Sequence, residues 1–279
     1  MDGLTEFIPP PRRAFSVLTP DGLRVSAQEW GDSDGPEILF IHGFSQSHLT
    51  WARQIKSELA KTFRLLTYDA RGHGGSDKPL DPVYYKDDRR WAAEVNAVIQ
   101  AAGLQKPAVV AWSYGGRILL DYLTHYSDSH LAGINFVAAL TTGDIPDLYG
   151  PGLAAMRKMT SENLVENIHN TIAFLRFCTA RPLPQAEYQW LLASTMLVPP
   201  QVRLSLLGRP LAFEAMLKSL AVPVLLSHGL ADQLIRVKMT NHTARLIPHA
   251  ITSFYEDAGH MPFWEAPERF QRELAELAG

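Results

Sequence analysis

Short apolar runs rich in β-branched residues recur along the chain, each bounded by turn-forming residues. Runs of this kind predict β-strands, and the sequence has eight: Phe15–Leu18, Leu23–Trp30, Glu37–Ile41, Arg64–Tyr68, Pro107–Trp112, Ile134–Val137, Pro223–Ser227 and Thr252–Tyr255. Longer segments with helical spacing lie at His48–Ala60, Asp88–Ala102, Gly115–Tyr126, Val237–Ile247 and Pro267–Leu277. A strand hairpin followed by alternating strands and helices predicts an α/β fold with a mostly parallel, eight-stranded sheet flanked by helices.

One long segment interrupts this alternation. Roughly 80 residues separate the sixth strand from the seventh, far more than a normal connection needs. Ser161 is a plausible N-cap, and it precedes apolar residues at helical spacing, Leu164, Ile168, Ile172 and Leu175. We therefore predict a core domain in two parts, residues 1–142 and 221–279, with a helical cap at residues 143–220 inserted between them.

Composition and charge narrow the classes of protein. The 279-residue chain has a net charge of −3, too small a field to gather nucleic acid. Its single cysteine, Cys178, fits a reducing compartment, and the cytoplasm is the expected location. The segment Met1–Glu6 carries acids rather than a signal peptide's apolar run, and no stretch elsewhere approaches the ~18 apolar residues of a membrane span. We expect neither a nucleic-acid partner nor a membrane partner.

The fifth predicted strand leads directly into Ser113 and then into an apolar helix. A strand, a sharp turn and a helix form the strained elbow that presents a nucleophilic serine at the carboxyl end of a sheet. Such a turn needs small residues two positions before and two after the serine, and Ala111 and Gly115 occupy those positions. The helix N-terminus makes the backbone N–H of Tyr114 a predicted oxyanion donor.

A serine nucleophile needs a base, and the base needs an orienting carboxylate. His260 follows the eighth predicted strand and Asp232 follows the seventh, so both lie where ligands bind in open α/β sheets. Asp257 and Asp144 are rival carboxylates. The position of Asp232 after its strand makes it the predicted acid, with Asp144 as the alternative.

The third predicted strand ends in His42, Gly43 and Phe44. The loop after this strand lies where a second backbone donor is needed for a tetrahedral oxyanion, and the N–H of Phe44 is the predicted donor. His42 is expected to support the loop rather than to transfer protons.

Four sequence strings together resemble the α/β-hydrolase superfamily: His42–Phe44, Asp69–Ser76, Ala111–Gly116 and Gly259–Pro267. The similarity is greatest to the branch of small esterases, cofactor-free haloperoxidase or perhydrolase-like enzymes, and homoserine-lactone hydrolases. This resemblance implies that Asp69–Ser76 is a structural loop, which leaves His73 without a catalytic role.

The resemblance also narrows the reaction. Epoxide hydrolases and haloalkane dehalogenases of this fold have aspartate as the nucleophile, where this chain has Ser113. The alkyl-enzyme chemistry of those enzymes is therefore not expected here. Carbon–carbon bond hydrolases usually have a Gly-Pro-Gly oxyanion loop, which Phe44, Ser45 and Gln46 do not match. The expected activity is hydrolysis of a carboxylic ester or lactone through an acyl-enzyme, with no metal or organic cofactor.

The predicted cap is rich in apolar side chains, which favours a hydrophobic acyl group. Met156 and Trp190 of the cap, together with Trp112 and Met261 beside the triad, are the predicted substrate contacts. The alternatives are N-acyl-homoserine lactone hydrolysis, a cofactor-free perhydrolase or haloperoxidase-like activity, and a non-catalytic ligand receptor on the same fold. A metal-dependent lactonase is excluded because neither His-x-His-x-Asp-His nor His-Glu-x-x-His occurs.

Overall fold

The computed structural model describes residues 8–143 and 147–279. These residues form an eight-stranded sheet whose strands are β1 (Arg13–Leu18), β2 (Arg24–Gly31), β3 (Glu37–Ile41), β4 (Arg64–Tyr68), β5 (Ala108–Trp112), β6 (Gly133–Val137), β7 (Val224–Gly229) and β8 (Ile251–Tyr255). The eight strands predicted from the apolar runs are therefore confirmed, with bounds that differ by two residues or fewer at each end.

The strand order is β1-β2-β4-β3-β5-β6-β7-β8. β2 pairs antiparallel with β1 and β4, and every other pair is parallel. All residues of the central strands β5 and β6 are buried, as expected for strands covered on both faces. This topology brings the carboxyl ends of β3 and β5 to β8 to one edge of the sheet.

Helices fill most of the connections between strands. Outside the segment between β6 and β7 they are a 3₁₀ turn at His48–Trp51, α1 (Ala52–Ile55), α2 (Leu59–Thr62), α3 (Val83–Lys86), α4 (Asp88–Ala102), α5 (Tyr114–Tyr126), α11 (Lys238–Leu246), α12 (Pro262–Glu265) and α13 (Pro267–Ala278). Within residues 8–143 and 147–279, each helix is too short or too polar to cross a bilayer.

The prediction of one helix over His48–Ala60 is wrong, because this region forms three short pieces. The side chain of Ser57 explains the break. Its Oγ donates to the carbonyl of Gln54 at 2.7 Å and accepts from the N–H of Leu59 at 3.2 Å. A serine that bonds the nearby backbone in this way competes with the helical hydrogen bonds.

The β6–β7 connection, which spans residues 138–223, contains five helices in its described part: α6 (Gly152–Lys158), α7 (Leu164–Phe177), α8 (Gln185–Met196), α9 (Pro200–Leu206) and α10 (Glu214–Ser219). The helices that the sequence predicts for this segment are present. That residues 143–220 form a cap distinct from a core at residues 1–142 and 221–279 stays a prediction.

The N-cap of α7 is Asn163 rather than the predicted Ser161. The side chain of Asn163 accepts a hydrogen bond from the N–H of Glu166 at 3.1 Å, while Ser161 Oγ accepts from the N–H of Asn163. The apolar pattern also misplaces part of the buried face, because Leu164 is 66% exposed. Asn167 and Thr171 are buried instead.

The polar face of α7 is buried because it binds Arg203 of α9. This guanidinium, fully buried, donates to Asn167 Oδ1 at 3.0 Å, to Thr171 Oγ1 at 3.2 Å and to the carbonyls of Met159 and Thr195. Its Nε also donates to Ser45 Oγ at 2.9 Å, in the loop after β3. Burial lowers the pKa of Arg203 to about 10. Arg203 therefore links three helices of the β6–β7 connection to the edge of the sheet.

Replacing Arg203 is expected to destabilise the protein more than replacing an exposed arginine of the same connection. Arg203→Met leaves several buried acceptors without a donor, so we expect the free energy of unfolding to fall by about 2–4 kcal/mol. Arg203→Lys keeps the charge but loses the planar guanidinium fork, so its free energy of unfolding should lie between those of the wild type and Arg203→Met. Urea unfolding measures both, with Arg176→Met on the exposed side of α7 as the matched control. Equal losses for Arg203→Met and Arg176→Met would contradict the role assigned to Arg203.

Candidate active site

Ser113 lies at the turn between β5 and α5. Its backbone has a φ of 54° and a ψ of −115°, in a region that side-chain-bearing residues rarely adopt. Three hydrogen bonds hold this conformation: the N–H of Ser113 donates to Val137 O at 2.9 Å, and its carbonyl accepts from Gly116 N and Leu140 N at 3.0 Å each. The predicted elbow is thus anchored to the end of β6 and the loop that follows it.

The absence of a side chain at Gly115 lets α5 approach β3. A Cβ atom at this position would lie 2.5 Å from the carbonyl oxygen of Ile41 and 2.7 Å from that of His42. Both contacts are with backbone, which cannot rotate away. The small residue that the sequence places two positions after Ser113 is therefore required by the close crossing of the helix and the strand.

His260 and Asp232 lie in the loops after β8 and β7. Their side chains are buried, and His260 Nδ1 is 2.6 Å from Asp232 Oδ2. The other oxygen, Asp232 Oδ1, accepts from the N–H groups of Leu234 at 2.7 Å and Ile235 at 3.0 Å. An ionised carboxylate only accepts, so the imidazole donates through Nδ1–H and keeps Nε2 as the basic nitrogen.

A second buried histidine, His228, packs against the same carboxylate, with its Nε2 3.4 Å from Asp232 Oδ2. Nε2–H donates to the carbonyl of Ile235 at 3.0 Å, and Nδ1 lies 2.7 Å from the hydroxyl of Thr240. Burial lowers the pKa of His228. His228 is therefore held neutral and does not compete with His260 for the charge of Asp232.

The rival carboxylates have different settings. The side chain of Asp257 is 89% exposed and lies 3.9 Å from Arg181, so it is a surface group. Asp144 lies outside the described residues. Of the carboxylates proposed as the acid, the structure brings Asp232 to His260.

The two predicted oxyanion donors lie close to Ser113, since Tyr114 follows it in the chain and a Cβ atom at Gly43, next to Phe44, would lie 3.2 Å from Ser113 Cβ. Tyr114 is the first residue of α5, and Phe44 lies in the loop after β3. Their rings meet edge to face, with centroids 6.3 Å apart. Within the described parts of the chain, neither backbone N–H donates to a carbonyl or side chain. Both N–H groups are therefore available to a ligand oxygen.

Two buried histidines hold the loop that carries Phe44. His42 Nδ1–H donates to Gly43 O at 2.9 Å and Nε2 accepts from Ala70 N, while His73 Nδ1–H donates to Arg71 O and Nε2 accepts from Ser45 N at 3.2 Å. Burial lowers the pKa of both rings, that of His73 to about 3. Each ring must be neutral to accept at Nε2.

A cavity of about 400 Å³ borders Ser113 and His260. Its wall includes Phe44 and Tyr114, so all the reacting groups except the buried Asp232 face one space. Most of the remaining wall is apolar. Much of it comes from the β6–β7 connection, namely from Leu140, Leu153, Met156, Phe174, Leu206 and Leu211. The cavity can therefore hold an apolar group beside the serine.

Of the four predicted substrate contacts, the structure places Met156 in the wall of this cavity and the other three outside it. Trp112 is buried behind the triad, where its indole N–H donates to the carbonyl of His260 at 2.8 Å. Met261 is also buried, at the start of α12, and Trp190 is half-buried on α8. Trp112 therefore supports the loop of His260 rather than the cavity wall.

Sequence reasoning missed the arginines of this region. Arg203 holds Ser45 next to the oxyanion loop, and Arg117 and Arg209 line the cavity although each is more than nine-tenths buried. Charged residues in apolar helices normally predict a solvated face, so the sequence carries no local signal for their burial. Within residues 8–143 and 147–279, no group of three or more His, Cys, Asp or Glu is arranged to hold a metal ion.

The buried neutral histidines predict a loss of stability in mild acid. The unfolded chain takes up their protons near pH 6.5, whereas the folded protein resists protonation because burial lowers the pKa of His42, His73 and His228. Below pH 6.5 the unfolded state thus binds more protons, and the free energy of unfolding falls as the pH falls, by up to about 1.4 kcal/mol per pH unit for each histidine.

Urea unfolding between pH 7 and pH 5 measures this loss. His73→Asn should make the pH dependence shallower by about one proton. The matched control is His130→Asn at an exposed position, which should keep the wild-type slope. Identical slopes for the two variants would show that His73 is not the group responsible.

Comparison with known proteins gives the family of the chain. The model of the Alpha/beta hydrolase family matches residues 38–273. The chain is 27% identical over 265 residues to the bifunctional esterase/perhydrolase DCH of Acinetobacter calcoaceticus, covering 90% of this chain and 94% of that protein. It is 25% identical to a non-heme chloroperoxidase of Streptomyces lividans, covering 93% and 97%.

Among solved structures, the esterase RhEst1 of Rhodococcus sp. ECU1013 is 32% identical with a TM-score of 0.89, and the match covers 95% of this chain and 98% of that one. The range matched by the family model, residues 38–273, extends from β3 through the β6–β7 connection to β8. The chain belongs to the alpha/beta hydrolase family.

Proposed function

We propose that this protein is a serine hydrolase that cleaves carboxylic esters through an acyl-enzyme intermediate. The observation that carries the proposal is the arrangement around the cavity. Ser113 and His260 border one space with the two N–H donors of Phe44 and Tyr114, and Asp232 holds His260 from behind. These are the parts that acyl transfer needs: a nucleophile, an oriented base and donors for the oxyanion.

In the proposed reaction, His260 Nε2 accepts the proton of Ser113 Oγ as the oxygen attacks the ester carbonyl. The carbonyl oxygen becomes an oxyanion and accepts hydrogen bonds from the N–H groups of Phe44 and Tyr114. Collapse of the tetrahedral intermediate expels the alcohol, which takes the proton from His260. A water molecule, deprotonated by His260, then attacks the acyl-enzyme and releases the acid and free Ser113. Asp232 stabilises the imidazolium at each stage.

The relatives support the ester as the bond attacked. RhEst1 is named an esterase, and DCH is named both an esterase and a perhydrolase. The apolar wall of the cavity favours a hydrophobic acyl or alcohol group. The β6–β7 connection supplies much of that wall, and we propose that residues 143–220 act as the cap that selects the substrate.

Perhydrolysis is a second candidate, favoured by the likeness to DCH and to the chloroperoxidase. Hydrogen peroxide would replace water as the nucleophile on the acyl-enzyme, giving a peracid and free Ser113. Lactone opening uses the same attack on an ester within a ring. Perhydrolysis, lactone opening and simple ester hydrolysis would use the same triad. They must therefore be distinguished by the substrate and by the nucleophile that attacks the acyl-enzyme.

Replacing the nucleophile is expected to abolish both labelling and turnover. A fluorophosphonate probe should label the wild type and not Ser113→Ala, because the probe reacts with an activated serine. A pH-stat series of short-chain and long-chain esters and lactones then gives the preferred class, and added hydrogen peroxide tests peracid formation. Ser129→Ala, at an exposed serine that does not line the cavity, is the control that should keep the label. An unlabelled wild type without turnover of any ester would favour a non-catalytic receptor.

The assignment of the acid is tested by amide substitution. Asp232→Asn should lower kcat by about 10³-fold to 10⁴-fold, since an amide favours the wrong tautomer of His260. Asp144→Asn and Asp257→Asn are matched controls that remove the rival carboxylates and should keep kcat within about threefold. A larger loss in Asp144→Asn than in Asp232→Asn would transfer the role of the acid to Asp144.

A further inference from the structure

The charged side chains on the described cavity wall are all arginines and therefore positive. Arg117 of α5, Arg157 of α6 and Arg209 after α9 line the cavity, and its described wall contains no aspartate or glutamate. Arg117 is 3% exposed and Arg209 is 7% exposed, whereas Arg157 lies at the surface. An otherwise apolar cavity thus has a cationic side within reach of the catalytic serine.

Protein contacts hold the two buried guanidinium groups in place. Arg117 donates from Nη1 to Arg209 O at 2.9 Å and from Nη2 to Pro210 O at 2.5 Å. Arg209 Nη2 lies 2.9 Å and 2.8 Å from the two carboxylate oxygens of Asp121. Both side chains are therefore fixed before any ligand arrives, which lowers the entropic cost of binding one.

These contacts leave part of each guanidinium unused. Within the described residues, no hydrogen-bond acceptor meets the buried Nε of Arg117 or the buried Nη1 of Arg209, and the guanidinium of Arg209 also lies beside the hydroxyl of Tyr114, whose pKa burial raises. Asp121 neutralises one of the two buried positive charges, and burial raises the pKa of that carboxyl to about 6. Burying two cations beside a single carboxylate is costly, so an anionic group in the cavity that both side chains line would be favourable.

The position of Arg117 relates this charge to the reaction. Arg117 lies in the first turn of α5, four residues after Ser113. Both line the same cavity. A group bound by Arg117 would therefore belong to the molecule whose carbonyl Ser113 attacks.

We propose that the preferred substrates are esters that carry a second, negatively charged carboxylate, such as the half-esters of aliphatic dicarboxylic acids, and that Arg117 and Arg209 bind this carboxylate. The inference rests on the proposed ester hydrolysis. The apolar side chains of Leu153, Met156 and Phe174 would contact the methylene chain between the two carbonyl groups. The guanidinium fork suits a carboxylate because it offers paired donors.

The direct test compares three methyl esters of the same diacid: the half-ester, the dimethyl ester and the monoamide methyl ester. Succinate and adipate derivatives cover a short and a longer spacer. We expect kcat/KM for the half-ester to exceed that for the other two by about 10-fold to 100-fold at one or both lengths, the usual gain from a charge-assisted contact. Equal values for the half-ester and the monoamide would overturn the proposal, since a neutral acceptor would then suffice.

Variants assign the preference to the arginines. In Arg117→Gln the ratio of kcat/KM for the half-ester to that for the dimethyl ester should fall by about 10-fold or more. Arg176→Gln removes a positive charge from an exposed part of α7 and should keep the wild-type ratio. An unchanged ratio in a folded Arg117→Gln protein that still labels with fluorophosphonate would also overturn the proposal.

A measurement on the wild type removes any dependence on the folding of variants. Adipate should inhibit hydrolysis of a neutral ester competitively and more strongly than adipamide does. Equal inhibition by the two compounds would count against the carboxylate site. If the wild type hydrolyses the dimethyl esters without any preference for the half-esters, this inference fails while the proposed ester hydrolysis stands. If no ester is hydrolysed and Ser113 is unlabelled, the proposed function itself fails.

Discussion

The rest of the site depends on the constrained turn at Ser113. A residue with a side chain at a φ of 54° costs on the order of 1–3 kcal/mol unless its surroundings hold it. The hydrogen bonds to Val137, Gly116 and Leu140 hold it from β6 and α5. The same turn starts α5 so that the N–H of Tyr114 is free, and one helical turn later it places Arg117 on the side that faces the cavity. The proposed nucleophile, one proposed oxyanion donor and part of the charged wall thus follow from one backbone conformation.

The parallel sheet brings the other parts to that turn. Phe44 follows β3, Asp232 follows β7 and His260 follows β8, and the carboxyl ends of these strands share one edge. The histidines at this edge also differ in their hydrogen-bond partners. His42 and His73 are held neutral by burial and by acceptor contacts at Nε2, and they fix the oxyanion loop without adding charge. His260 instead has Asp232 as its partner at Nδ1, which leaves Nε2 as the nitrogen that can take a proton in the proposed reaction.

The sequence predicts the strands and the positions of these side chains because the signals for them are local. A buried parallel strand is a continuous apolar run, and an elbow needs small residues at fixed positions, so the eight strands, Ser113 and the order of Asp232 and His260 follow from short strings. The wrong predictions have two kinds of cause, contacts within a short segment and contacts between residues far apart in the chain. Ser57 breaks the helix predicted over His48–Ala60 through its own backbone contacts. Asn167 and Thr171 replace apolar residues on the buried face of α7 because Arg203, more than 30 residues away, binds them.

The same reasoning explains why specificity is harder to predict than chemistry. The proposed triad would act on any ester carbonyl that reaches Ser113, so the choice of substrate depends on the cavity wall. That wall combines Arg117 of α5 with Arg209 and Met156 of the β6–β7 connection, and Arg117 holds the backbone of residues 209 and 210 in place. The long β6–β7 connection therefore becomes part of the candidate site through one buried charge on the helix that follows Ser113. Changing that connection should alter which acyl groups enter while the reaction at Ser113 stays the same.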